Sequence, residues 1–276
     1  MKRVILVISG SFALGFWSKV FAESFGCPKL YFSHNPMSAI SFAKTYRGTD
    51  LEGASSVQQT SDGGYIVAGW TWSFDVVDDI FLIKTDANGN VQWAKTYGGT
   101  AQDGARSVQQ TSDGGYIVAG YTYSFGAGGR DIFLIKTDAS GNLQWAKTYG
   151  GTNYEDASSV QRTSDGGYIV AGYTSSFGAG GIFLIKTDAN GNIQWAKTYG
   201  IGLATSVQQT SDGGYIVAGR AYGDILLIKT DANGNVQWAK TYGGTDDGWA
   251  LSVQQTSDGG YILAGYTGSF TAGYDI

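Results

Sequence analysis

One cysteine, one histidine and two prolines are all that 276 residues hold of those types, and each scarcity excludes something. The lone Cys27 rules out an internal disulfide framework. The lone His34 leaves no histidine-based catalytic triad and no histidine-rich metal site. No stretch of useful length repeats an apolar residue every three to four positions, which argues against a helical core. Charge is sparse as well: 18 Lys and Arg stand against 23 Asp and Glu, a net charge of −5. An acidic balance of this kind argues against nucleic acid and anionic membranes as partners.

What the chain has instead is glycine (43 residues) and aromatic side chains (14%). Glycine at this level without a three-residue period, beside many Tyr and Trp, points to short strands joined by tight turns. The start reads differently from the rest. Lys2 and Arg3 precede an apolar run from Val4 to Trp17, and small Ala22 stands before Glu23. That layout predicts a secretory signal over residues 1–22, cleaved after Ala22. A retained anchor is the alternative reading, for which the run falls short of the roughly 20 apolar residues a bilayer requires. Removing residues 1–22 takes the net charge to −8 and leaves 23–276 as a single domain.

Repetition dominates that domain. "SDGGYI" begins at Ser61, Ser112, Ser164, Ser211 and Ser257, and "WAKTYG" begins at Trp93, Trp145, Trp195 and Trp238, with a cousin at Phe42. The aromatic anchors are 51, 52, 50 and 43 residues apart, a period that suits a four-stranded propeller blade. In the second copy the strands are expected at residues 106–111, 115–123, 131–137 and 142–149. "SDGG" and "DASG" make the hairpin turns between them. "IFLI" is apolar on both faces, as in a strand sandwiched between neighbours. Alternation in "VQWAKTY" puts Val91, Trp93 and Tyr97 on one face, and one Trp per copy suggests a ring of aromatics stapling blade to blade.

The expected fold is therefore all-β, a five-bladed β-propeller of four-stranded antiparallel blades. Four blades cover about 54–98, 105–150, 157–200 and 204–243. The fifth is shared, with 250–276 supplying its first two strands and 29–47 its last two, since Leu30–Phe32 and Phe42 align without a gap on Phe81–Ile83 and Trp93. Closure of this kind removes exposed sheet edges. The final Asp275-Ile276 also matches the start of a third strand, which fits a fragment of a longer array equally.

"SVQQTSDGGYIVAGYT" and "FLIKTDANGNVQWAKTYGG", with their copies, resemble the β-propeller repeats of secreted bacterial and archaeal proteins often called SBBP-type. The resemblance implies an extracellular or cell-surface location and a propeller fold, and no particular reaction. In overall plan the repeats also resemble the tachylectin type of sugar-binding propeller, a likeness of fold alone.

Strand order puts the invariant turns at one end of every blade and the variable connections, second to third strand and fourth to first, at the other. Variable loops on one face of a rigid scaffold are where function usually sits. The aromatic opening each loop recurs and reads as an anchor; Trp72, Tyr154 and Trp249 do not recur and are stronger ligand candidates. The candidate set is Trp72, Tyr123, Tyr154, Trp249, Asp103, Glu155 and Asp247, since aromatic faces flanked by carboxylates suit sugar rings and their hydroxyls. Loop capping through backbone N–H groups is the competing role for Asp103 and its equivalents. No catalytic residue, metal ligand or cofactor is assigned, and "DANGN" lacks the spacing and terminal Glu of a calcium loop. The functional expectation is a secreted, non-catalytic module binding a glycan or an extracellular protein. A carbohydrate-active hydrolase using loop carboxylates and a purely structural cell-surface module are the alternatives.

Overall fold

The computed structural model describes residues 44–46, 48–73 and 77–268. The chain divides into two compact units, Met1–Tyr46 and Arg47–Ile276, and every strand named here belongs to the second. The expected signal, Cys27, His34 and residues 269–276 lie outside the described residues, as does the segment 29–47 apart from residues 44–46.

The first sheet holds β1 (Glu52–Gln59), β2 (Tyr65–Thr71), β3 (Asp79–Thr85) and β4 (Val91–Tyr97). The second holds β5 (Asp103–Gln110), β6 (Tyr116–Thr122), β7 (Asp131–Thr137) and β8 (Leu143–Tyr149). The third holds β9 (Glu155–Arg162), β10 (Tyr168–Thr174), β11 (Gly181–Thr187) and β12 (Ile193–Tyr199). The fourth holds β13 (Leu203–Gln209), β14 (Tyr215–Ala221), β15 (Asp224–Thr230) and β16 (Val236–Tyr242). Of the fifth, β17 (Gly248–Gln255) and β18 (Tyr261–Thr267) are described. Strands follow chain order within each sheet and all pair antiparallel.

Each turn is built by an aspartate. In the first sheet Asp62 Oδ1 accepts from the Thr60 hydroxyl (2.5 Å) and the Gly64 N–H (3.1 Å), and Gly63 takes a φ of +81° that only glycine adopts cheaply. The "DANGN" turn is closed by Asp86, whose Oδ1 accepts from the Asn88 and Asn90 N–H groups while Oδ2 accepts from the Asn90 side chain, each at 2.8 Å. Its carboxylate oxygens serve a hairpin.

A buried lysine ties these turns to the sheet. Lys84 Nζ donates to Asp62 Oδ2 (2.8 Å), to the Thr85 carbonyl (2.8 Å) and to Gln92 Oε1 (3.1 Å). Lys136, Lys186 and Lys229 repeat the arrangement on Asp113, Asp165 and Asp212. Gln92 reaches its lysine because the register slips between Lys84 and Thr85. The slip also corrects an expectation: Val91 does not share the buried face of Trp93 and Tyr97 and is 50% exposed.

Sheets stack face to face through apolar clusters. Ile66, Ala68, Ile80 and Leu82 of the first pack on Ala105, Val108, Tyr116 and Val118 of the second. The expected aromatic staple is present: Trp93 meets Tyr116 of the next sheet edge to face (centroids 5.8 Å apart), and the Tyr97 hydroxyl donates to the Gly141 carbonyl (2.6 Å). The "SVQQ" motif joins first strands to one another. Ser56 Oγ accepts from the Val108 N–H (3.2 Å) and Gln58 Oε1 from the Gln110 N–H (2.6 Å), while Gln110 Oε1 accepts from the Ser61 N–H (2.8 Å).

Candidate functional site

The first strands begin earlier than the alternating pattern predicts. β5 starts at Asp103 because Asp103, Gly104 and Ala105 pair with Thr122, Tyr121 and Gly120 ahead of a bulge, which leaves Arg106 as the extra residue. Two of the acids assigned to variable loops, Asp103 and Glu155, are therefore strand residues, while Asp247 stands just ahead of β17. Asp103 Oδ2 accepts from the Gly99 N–H (2.9 Å) and the Ser124 hydroxyl (2.7 Å). Glu155 accepts from the Gly151 N–H (2.7 Å), the Thr174 hydroxyl (2.7 Å) and the Ser176 N–H (3.0 Å). Burial pushes the Glu155 carboxyl up, but these donors outweigh it and hold the group below its ordinary value. Both side chains are fully buried and pin two loops together. Asp103 therefore caps a loop away from the cavity lining, whereas Glu155 caps its loop within the cavity wall.

At the variable end, one cross-strand position sets the character of each sheet. The pairs are Gly53 with Trp70, Gly104 with Tyr121, Asp156 with Tyr173, Leu203 with Arg220 and Trp249 with Tyr266. In the first two sheets the aromatic ring lies directly over the glycine; a Cβ on Gly104 would sit 2.7 Å from the Tyr121 ring. From the third sheet onward a larger side chain stands there instead. Asp156, Leu203 and Trp249 then line a cavity of about 320 Å³ with Arg130, Tyr154 and Tyr173.

Charge within this site is held by arginine. Arg130 is ion-paired with Asp156 and lies 3.6 Å over the centre of the Tyr121 ring, while Arg106 approaches the same carboxylate at 3.6 Å. Burial raises the Asp156 carboxyl above its ordinary value, opposed by the two guanidinium groups. Across the cavity Arg220 pairs with Asp247 (2.5 Å) and lies 5.3 Å from the Trp249 ring. Tyr123 stands edge-on to Tyr154 with centroids 6.5 Å apart. Asp156 Oδ1, Arg130 Nε and Trp249 Nε1 are buried and make no hydrogen bond among the described residues.

Of the candidates, Tyr154, Glu155 and Trp249 line the cavity, Glu155 as a buried wall residue, and Tyr123 and Asp247 flank it through Tyr154 and Arg220. Trp72, on the first sheet, is exposed and is not part of the lining. Sequence reasoning passed over Arg106, Arg130 and Arg220. Their signal was present: every other cation of the described repeats except Arg162 is a lysine recurring at a fixed step.

No family model matches the chain. A curated relative, regulatory protein FlaEY of Caulobacter vibrioides, is 28% identical over a 159-residue alignment that covers 49% of this chain. The match covers 17% of that protein, well under a fifth of its length. Two solved structures are similar. A protein of unknown function from Bacteroides caccae has a TM-score of 0.54 at 12% identity, over 81% of this chain and 74% of that one. The Dos1 propeller has a TM-score of 0.51 at 14% identity, over 78% of this chain and 52% of that one. The fold is a β-propeller. Its blades are the sheets described above.

Proposed function

We propose that the protein is a secreted, non-catalytic binding propeller that takes a glycan, or a glycan-bearing surface protein, in the cavity between Tyr154, Asp156 and Trp249. One observation carries this reading: aromatic residues, and residues holding buried polar atoms without a hydrogen-bond partner among the described residues, line the same cavity. An unpaired buried polar group costs about 1–3 kcal/mol, so a hydroxyl-rich ligand that draws these groups into hydrogen bonds recovers energy the free protein lacks. Rings of Tyr and Trp offer apolar faces for sugar rings beside them. The cavity draws on blades two to five, so the proposal does not depend on how a fifth blade is completed. Five blades per chain is the count we carry, four of them four-stranded and the fifth begun by β17 and β18.

Export through residues 1–22 belongs to the same proposal, on the strength of the basic tip, the apolar run and Ala22. The test is a glycan array probed with residues 23–276. Selective binding to a set of related glycans is expected, and an array with no glycan bound would overturn the glycan reading. Polysaccharide turnover by the same material would support the hydrolase alternative.

A further inference from the structure

Every joint between successive blades uses the same two surfaces. The trailing face of one blade presents an isoleucine and an alanine of its second strand: Ile66 and Ala68, Ile117 and Ala119, Ile169 and Ala171, Ile216 and Ala218. The leading face of the next presents an alanine and a valine of its first strand: Ala105 and Val108, Ala157 and Val160, Ala204 and Val207, Ala250 and Val253. Those four isoleucines are 0% exposed and the four valines 5–6% exposed. Beside each apolar pair, a Ser and a Gln accept from two N–H groups of the next first strand.

Among the described residues, one copy of each surface is unmated. Val57, the leading valine of the first blade, is 60% exposed, with Ala54 exposed beside it. Ile262, the trailing isoleucine of the fifth, is likewise 60% exposed, with Ala264 exposed beside it. Ser252 and Gln254 stand at the acceptor positions, and the Val57 and Gln59 N–H groups at the donor positions, without the corresponding bonds among the described residues. Two half-joints of proven complementarity are thus open at opposite ends of one row of inner strands. Apolar faces of this sort mark association sites.

We propose that the chain associates head to tail with a second copy of itself, the β17–β18 face of one copy seating on the β1–β2 face of the next. The occupant is argued from continuity: the contact extends the blade-to-blade joint already made four times within the chain, with the same side chains and the same donors and acceptors. Such a contact is heterologous, so it closes into a small ring or continues as a fibre according to the rotation at each joint.

Light scattering behind size exclusion tests it, on residues 23–276 under reducing conditions so that Cys27 cannot link copies. The wild type is expected to form dimers or larger species that dissociate on dilution. Val57→Asp and Ile262→Asp should each be monomeric, since each lacks one half of the joint. Mixed in equal amounts they should form a one-to-one dimer and nothing larger, because only one productive pairing remains. Circular dichroism melting checks that both fold. If either does not, Val57→Thr and Ile262→Thr replace them and should weaken association about tenfold. A wild type that stays monomeric at every concentration would overturn the proposal in favour of closure within one chain, with residues 29–47 completing the fifth blade. An aspartate mixture of folded chains that stays monomeric would overturn it as well.

Discussion

A lysine sits inside every complete blade, and its partners explain why it is tolerated. Lys136 spends its donors on Asp113, the Thr137 carbonyl and Gln144, so the charge is neutralised and its hydrogen bonds are made. Lys136→Met keeps the apolar stem and strands three acceptors; a loss of roughly 1–3 kcal/mol in unfolding free energy is expected from denaturant titration. The pH dependence follows from the partner. Burial alone would raise Asp113, but hydrogen bonds from Lys136 and Thr111 outweigh it and hold the group at about 2. Asp212 is also held at about 2, by Thr210 and then Lys229. A carboxylate with a folded value below its unfolded value stabilises the fold above the unfolded value, and that stability is lost as pH falls through the folded one. Wild-type stability should therefore drop between about pH 4 and about pH 2, and Lys136→Met should show a shallower drop in the same window. Asp131 has the opposite sign. Burial raises it, and the nearby Glu155 charge raises it further, against one N–H from Ala127. Its stabilisation is present at acid pH and lost as pH rises through its raised value. Asp131→Asn should accordingly raise the melting midpoint at pH 7, and a lowered midpoint would contradict the assignment.

At the scale of the strand and turn, the repeats made most of the architecture readable. "DIFLIKT" is β7 at the residues expected, and both hairpin turns fall on "SDGG" and "DASG". Two features escaped, each for a physical reason. "GTAQDGA" reads as loop because glycine and mixed polarity hide the pairing of residues 103–105, and a bulge breaks the alternation that would have revealed it. In "VQWAKTY" a second bulge sends Val91 to solvent, which periodicity alone cannot anticipate. The candidate site was half legible. Non-recurrence picked out Tyr154 and Trp249; Asp103 and Glu155 hold their loops through carboxylate hydrogen bonds, and of the two only Glu155 belongs to the cavity wall. The cavity itself depends on cross-strand register, with Asp156, Leu203 and Trp249 standing where Gly53 and Gly104 stand in the first two blades. The staple makes its own prediction. Gly141 has a φ of +75°, and a Cβ there would sit 2.9 Å from the Trp93 ring. Gly141→Ala should cost more than about 1 kcal/mol, measured by thermal unfolding.

For the whole molecule, stability is a sum of near-identical blade joints, and function is concentrated where the blades stop being identical. Lysine clamps, aspartate turns and Ser/Gln bridges recur around the molecule and belong to the scaffold. Arg106, Arg130, Arg220, Asp156 and Trp249 have no counterparts in the other blades, meet at the variable end and gather around the cavity described above. That contrast is the reason for placing a ligand there and for treating Trp72 as a bystander despite its exposure. The direct measurement is calorimetric titration of the best array ligand into the wild type, Trp249→Ala and Trp72→Ala, each verified as folded. The account predicts at least about a tenfold loss of affinity in Trp249→Ala, about 1.4 kcal/mol, with Trp72→Ala indistinguishable from wild type. Affinity lost in Trp72→Ala and retained in Trp249→Ala would contradict it.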